Sequence, residues 1–292
     1  RGGGLSGRRL SVRAGGASMA ALANFSRPPL LRQLLAAVLA VLIGSILMKL
    51  GNALLSLTIS LSLNEAGVGK EQIGVVAAIF SAGYLVGGLY ANRLIRAVGH
   101  VRAIAGTTAL AAIVTLLLPL YLDSVYWALL RGVYGFTVAV GYIVFESWLN
   151  ERATNETRGR VLGLYATSNY LALSLGQLLI NVTPLGDSLA FSLCAMLILA
   201  GLIPVVSTRL PQPALSDVER LSPWALYRHS PLAVVAVMGS GLLSGGLFGL
   251  NAVFAQEIGL SLFQVSLFTG ANVFGGFLLL WFIGRLSDRL GR

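Results

Sequence analysis

Eight apolar runs, each about as long as a bilayer-crossing helix, constrain this chain more than any other feature. They lie near residues 34–63, 72–91, 103–122, 125–149, 161–181, 189–208, 231–255 and 264–284, separated by short polar turns. A hydrocarbon layer about 30 Å thick takes about 20 residues at the α-helical rise. In lipid every backbone N–H and C=O must be paired within the protein, so such runs become helices. The expected fold is all-α and polytopic. Composition agrees, with 11% charged residues against about 25% in ordinary soluble domains.

Charge sets the expected direction. With the amino terminus inside, the tail and the loops near 92–102, 150–160, 209–230 and 285–292 carry 18 of the 21 Lys and Arg. The opposite loops carry Lys70 against Glu65, Glu71, Asp123, Asp187 and Glu257. The positive-inside rule therefore predicts a cytoplasmic amino terminus. Because the net charge of +10 sits in loops between spans, without interleaved aromatics, nucleic acid is not an expected partner. The expected partners are the bilayer and a small solute.

Residues 1–33 hold six arginines and no acid and read as a basic disordered tail, with Met19 a candidate start and residues 1–18 a translated leader. Arg8-Arg9 lacks a nearby apolar core, against a twin-arginine signal. Cys194 stands alone in an apolar run, so no disulfide framework is expected. His100 and His229 are far apart, and nothing has metal-ligand spacing. No metal or cofactor is expected.

The buried charges are the informative residues. In span four, Arg131 and Glu146 are separated by about 22 Å of helix. A helical wheel puts Arg131, Gly135, Val138, Tyr142 and Glu146 on one face. A charge in lipid costs at least about 2.5 kcal/mol, so that face should meet protein or water. Span one carries Ser45, Lys49, Asn52, Ser56 and Ser60 on one face, with Lys49 near the midplane. Two readings stay open for this stripe, a solute cavity or interhelical packing. For Arg131 they are an anionic solute (or a coupling carboxylate) and a structural bond to carbonyls. Glu146 reads as part of the cytoplasmic end, paired with Arg93 or Arg96 in a static or switching bridge. Asn169 and Gln177 in span five, Asn251 in span seven and Asn272 in span eight are polar residues in apolar runs. Each is a solute contact or an interhelical hydrogen bond. Gly83, Gly87 and Gly88 have the spacing of a close helix crossing.

The stretch Arg209–His229 holds three prolines and reads as a cytoplasmic linker over about 209–230. It divides a six-helix bundle, 34–208, from two further helices, 231–292. A repeat supports the division: at an offset of 192 residues, Glu65 meets Glu257, Gly67 meets Gly259 and Gln72 meets Gln264. At the same offset Arg93 meets Arg285, Leu94 meets Leu286 and Gly99 meets Gly291.

After span eight the chain reads GRLSDRLGR, Gly284 to Arg292. This resembles the G-x-L-x-D-R-x-G-R loop signature of the major facilitator superfamily. Arg131-x-x-x-Gly135 is similar to that family's fourth-helix arginine motif, and the run 145–165 resembles an uncharacterised bacterial branch. The resemblance implies a fold of two six-helix halves and a bacterial cytoplasmic membrane. It also implies a cytoplasmic gating motif on Arg93, Arg96, Gly99 and Glu146 in the first half and Gly284, Asp288, Arg289, Gly291 and Arg292 in the second. Arg96 stands where Asp288 supplies an acid in the second copy, so the first-half copy departs from the signature at its acidic position. Four helices would then follow Arg292, so the chain reads as a C-terminally truncated fragment.

The expected function is secondary transport of a small solute by alternating access, with proton coupling implied by the resemblance alone. The candidate solute or coupling residues are Lys49, Asn52, Ser56, Arg131, Tyr142, Asn169, Gln177 and Asn251. An enzyme would need ionisable groups clustered at one depth, and the spans hold none. A transporter-like scaffold or receptor is the alternative.

Overall fold

A computed structural model describes residues 28–153, 157–184, 187–207 and 223–290. The linker up to 222, most of the basic tail, and Gly291 and Arg292 lie outside the described residues, as do the side chains of Gly284, Asp288 and Arg289. No strand occurs among the described residues. The helices are α1 (Pro28–Glu65), α2 (Lys70–Val98), α3 (His100–Leu117), α4 (Ser124–Arg152), α5 (Arg158–Leu178), α6 (Ser188–Val206), a short α7 (Pro223–His229), α8 (Pro231–Glu257) and α9 (Leu262–Leu290).

Seven described helices are long and apolar enough to cross a membrane. The expected run at 161–181 is helical too, as α5, but it is the polar exception. It packs between α1 and α9 and turns Asn169 and Gln177 inward. Polar side chains are tolerated there because they face protein and cavities rather than lipid.

The expected loop over 92–102 is corrected to a single residue. Helix α2 runs to Val98 and α3 starts at His100, with Gly99 between them at φ 85. Exposed Arg93 and Arg96 lengthen the helix beyond the apolar run, since arginine favours helix and only glycine adopts that φ cheaply. Likewise α9 continues through Gly284 to Leu290. At the other ends, Asp123 accepts from the Tyr126 N–H at 2.7 Å and caps α4. The Trp127 indole N–H donates to the carbonyls of Leu118 and Tyr121, tying the α3–α4 turn.

The 192-residue repeat is structural. Helices α1 and α8 end in the same cap: Gly67 N–H donates to Asn64 O and Val68 N–H to Leu63 O, matched by Gly259 to Gln256 and Leu260 to Ala255. Both glycines have positive φ, 74 and 82, the left-handed C′ residue of a Schellman motif.

Helices α2 and α4 cross at backbone distance. A Cβ added at Gly83 would strike the Gly132 backbone, and one at Gly135 the backbone of Phe80 and Tyr84. Helix α1 is the central post, packed on α5 and α6, while α8 lies against α1 and α2, and α9 against α5.

Candidate functional site

A cavity of about 520 Å³ lies where α1, α2, α4, α5 and α8 converge. From α1, Lys49, Asn52, Ser56 and Ser60 point into it; α4 contributes Arg131, Val138 and Tyr142, and α5 contributes Leu173 and Gln177. The stripe expected on α1 is therefore gathered at the cavity, except for Ser45. That hydroxyl is fully buried and donates back to the Leu42 carbonyl at 2.9 Å.

Helical rise orders the charges by depth. Measured from the α1–α2 turn, Arg131 and Ser56 lie at about 10–14 Å, Lys49 and Tyr142 at about 24–27 Å, and Glu146 at about 33 Å. Contacts agree with this ladder. Arg131 Nη2 donates to Ser56 Oγ at 3.5 Å, and Lys49 Nζ sits 3.4 Å above the centre of the Tyr142 ring. Such a cation–π contact at a desolvated site is worth about 2 kcal/mol. Arg131 Cζ also lies 4.1 Å from the centre of the Phe80 ring and 5.4 Å from that of Tyr134.

A second cavity of about 510 Å³ shares Lys49, Leu173 and Phe248 with the first and adds Glu146, Asn150, Tyr165 and Asn169. Glu146 thus stands on a cavity wall with Lys49, while Arg93 lies over the Tyr90 ring at 5.2 Å. A smaller cavity of about 210 Å³ holds Asn251, Asn272 and Thr269 and shares Ser56, Ser60 and Gln177. Gln177 accepts from Thr269 at 3.4 Å.

The end at the α1–α2 turn is closed by contacts between the two repeats. Asn64 donates to Gln256 at 2.8 Å, and these residues are equivalent at the 192-residue offset. Lys70 pairs with Glu257 at 2.7 Å, and Ser60 donates to the Gly249 carbonyl. Along α8, Gly249, Ala252, Val253 and Ala255 are buried, whereas 235–248 is exposed.

Several cavity residues were not singled out from sequence: Ile73, Val76, Phe80, Ser81 and Tyr84 on α2, and Gly241, Ser244, Gly245 and Phe248 on α8. Both sets recur at three- and four-residue spacing, the periodic signal by which a helical face is found. Lacking charges, they did not stand out. Among the described residues no cluster of His, Cys, Asp or Glu could hold a metal.

Residues 41–292 match the sequence profile of the Major Facilitator Superfamily. An uncharacterized MFS-type transporter of Enterobacter sp. strain 638 is 28% identical over 273 residues, covering 93% of this chain and 69% of its own length. The uncharacterized MFS-type transporter YcaD of Salmonella enteritidis is 29% identical over 258 residues, 87% of this chain and 67% of its own. Among solved structures, a bacterial homologue of the human lysosomal transporter Spinster superposes with TM-score 0.70 at 17% identity, covering 90% of this chain. The D-xylose-proton symporter gives TM-score 0.57 at 15% identity over 86% of the chain. At such identities the likeness shows the fold alone. The chain spans 64% of the Spinster homologue and 69% of the symporter.

Proposed function

Because the chain belongs to the Major Facilitator Superfamily, we propose that it forms the solute-binding half-depth cavity of a secondary transporter working by alternating access. The observation that carries this reading is a charged cavity closed by repeat-to-repeat contacts at one end and joined at the other to a second cavity holding Glu146. In such transporters the site lies between rocking repeats near the bilayer midplane. The excess of basic residues at the Arg93 and Arg96 end supports placing that end, and the amino terminus, in the cytoplasm of a bacterium. The closed end is then external.

Lys49→Ala in the full-length protein that carries this chain should leave membrane insertion intact and lower solute uptake about tenfold, a barrier change of about 1.4 kcal/mol. Uptake equal to that of the unaltered protein would remove Lys49 from the path.

The Lys70–Glu257 pair should matter less. Its side chains are half exposed, and such pairs contribute about 0–1 kcal/mol. Lys70→Ala should therefore shift the ratio of outward- to inward-facing molecules by about fivefold at most. Reactivity of a cysteine placed at position 60 toward an external thiol reagent reads that ratio. A shift of a hundredfold would show that the pair, rather than Asn64–Gln256 and the helix packing, holds the end closed.

A further inference from the structure

We infer that the solute of this cavity is a small organic anion whose single carboxylate docks on the Arg131 guanidinium. The inference rests on the transport reading above and names its substrate class.

Arg131 is 5% exposed, yet among the described residues two of its three guanidinium nitrogens, Nε and Nη1, have no hydrogen-bond partner. The third reaches only Ser56 Oγ, at 3.5 Å. A guanidinium carries five N–H donors and stays charged in proteins, so burying it unpaired is costly. The structural alternative, in which Arg131 ties neighbouring carbonyls together, needs the hydrogen bonds that Nε and Nη1 do not make. No described acid lines the cavity that Arg131 faces. Lys49 differs, since it also lines the cavity containing Glu146 and its ammonium lies on the Tyr142 ring. Of the two buried cations, Arg131 is the one that shares its cavity with no described acid.

The surroundings select the form of that charge. Arg131 Cζ lies over the Phe80 ring, and a guanidinium offers its donors in its own plane, a fork that matches a carboxylate with two parallel N–H···O bonds. Ile59, Ile73, Val76 and Val138 give the nearby wall an apolar character and suit a hydrocarbon or aromatic body. A volume of about 520 Å³ is within the range of small-molecule sites. Arg131 and Lys49 are separated in depth by about 10–14 Å, too far for a small solute to bridge with one head group. A monoanion therefore suffices.

The test is equilibrium binding to the full-length protein in nanodiscs, using acetate, benzoate and 4-phenylbutyrate, each beside its neutral amide. Benzoate or 4-phenylbutyrate should bind with Kd of about 1 mM or tighter and at least about tenfold better than its amide. Arg131→Lys keeps the charge but removes the fork, and should weaken carboxylate binding about tenfold. Arg131→Gln should abolish the preference of acid over amide. The proposal is overturned if amides bind as well as acids, if no carboxylate binds up to about 10 mM, or if Arg131→Gln keeps the preference. Chloride or inorganic phosphate competing as well as acetate and benzoate compete with each other would also overturn it, by assigning the site to a free inorganic anion. Should an arginine variant fail to fold, the acid-against-amide comparison on the unaltered protein still decides. Labelling of the closed end at position 60 reports alternating access without any ligand, so failure of the transport reading is seen separately.

Discussion

Replacing Gly135 with leucine is expected to abolish folding of the bundle. A Cβ at Gly135 would meet the carbonyl oxygen of Phe80 and, at 2.9 Å, the backbone nitrogen of Tyr84. These are backbone atoms, so relief requires α2 and α4 to move apart along their whole crossing. At the same crossing Gly83 rests on the Gly132 backbone and Gly87 on that of Phe136. Separation would strip close contacts from several turns at once, and in lipid no hydrophobic term drives the helices back together. Overpacking commonly costs about 1–3 kcal/mol. Here the larger side chain meets rigid backbone, so the loss should exceed about 3 kcal/mol, a large share of a stability of about 5–15 kcal/mol. Gly88→Leu is the matched control, because nothing lies within 4 Å of a Cβ there. Monodisperse yield in mild detergent should collapse for Gly135→Leu and hold for Gly88→Leu. Equal behaviour of the two would show that the α2–α4 crossing does not limit folding.

Locking the closed end is expected to stop transport completely. Asn64 and Gln256 already touch, at 2.8 Å, and belong to different repeats. Cysteines at both positions, bridged by a short bifunctional thiosulfonate, would hold α1 and α8 together where alternating access needs them to part. Cys194, the one cysteine of this sequence, is buried and should not compete for the reagent. Uptake in proteoliposomes should vanish on cross-linking and return on reduction, with either single cysteine unaffected. A bridged protein that still transports would mean that the path does not open between Asn64 and Gln256. This effect should far exceed that of removing the Lys70–Glu257 pair, because a covalent link is not traded against water as an exposed ion pair is.

The eight apolar runs were legible because the bilayer sets both the length and the obligatory hydrogen bonding of a crossing segment. Their ends were less so. Helices α2 and α9 continue past the apolar edge through arginine-bearing turns, since hydropathy marks the lipid boundary and not the end of hydrogen bonding. The repeat was visible as a few identities at one offset, and Gly67 and Gly259 show why these survive: both occupy the left-handed position of the same cap. The α1 stripe was also legible, because a polar face at helical spacing needs no knowledge of its neighbours. Ser45 lies on that stripe but turns its hydroxyl to Leu42, so helical spacing alone over-reached by one turn.

The sequence by itself determined what is local to a segment: how many runs can cross a membrane, which residues share a helical face, and that Lys49 and Arg131 cannot face lipid. Tertiary structure alone decided what each face meets. It set Lys49 over Tyr142, Arg131 against Phe80 with two nitrogens unpartnered, and Glu146 on a cavity wall with Lys49. It also brought Asn64 and Gln256 into hydrogen-bond contact. The reason is physical. Helical periodicity is a property of a few consecutive residues, whereas the partner of a face depends on how helices rotate and cross, through ridges and grooves contributed by segments as much as 192 residues apart.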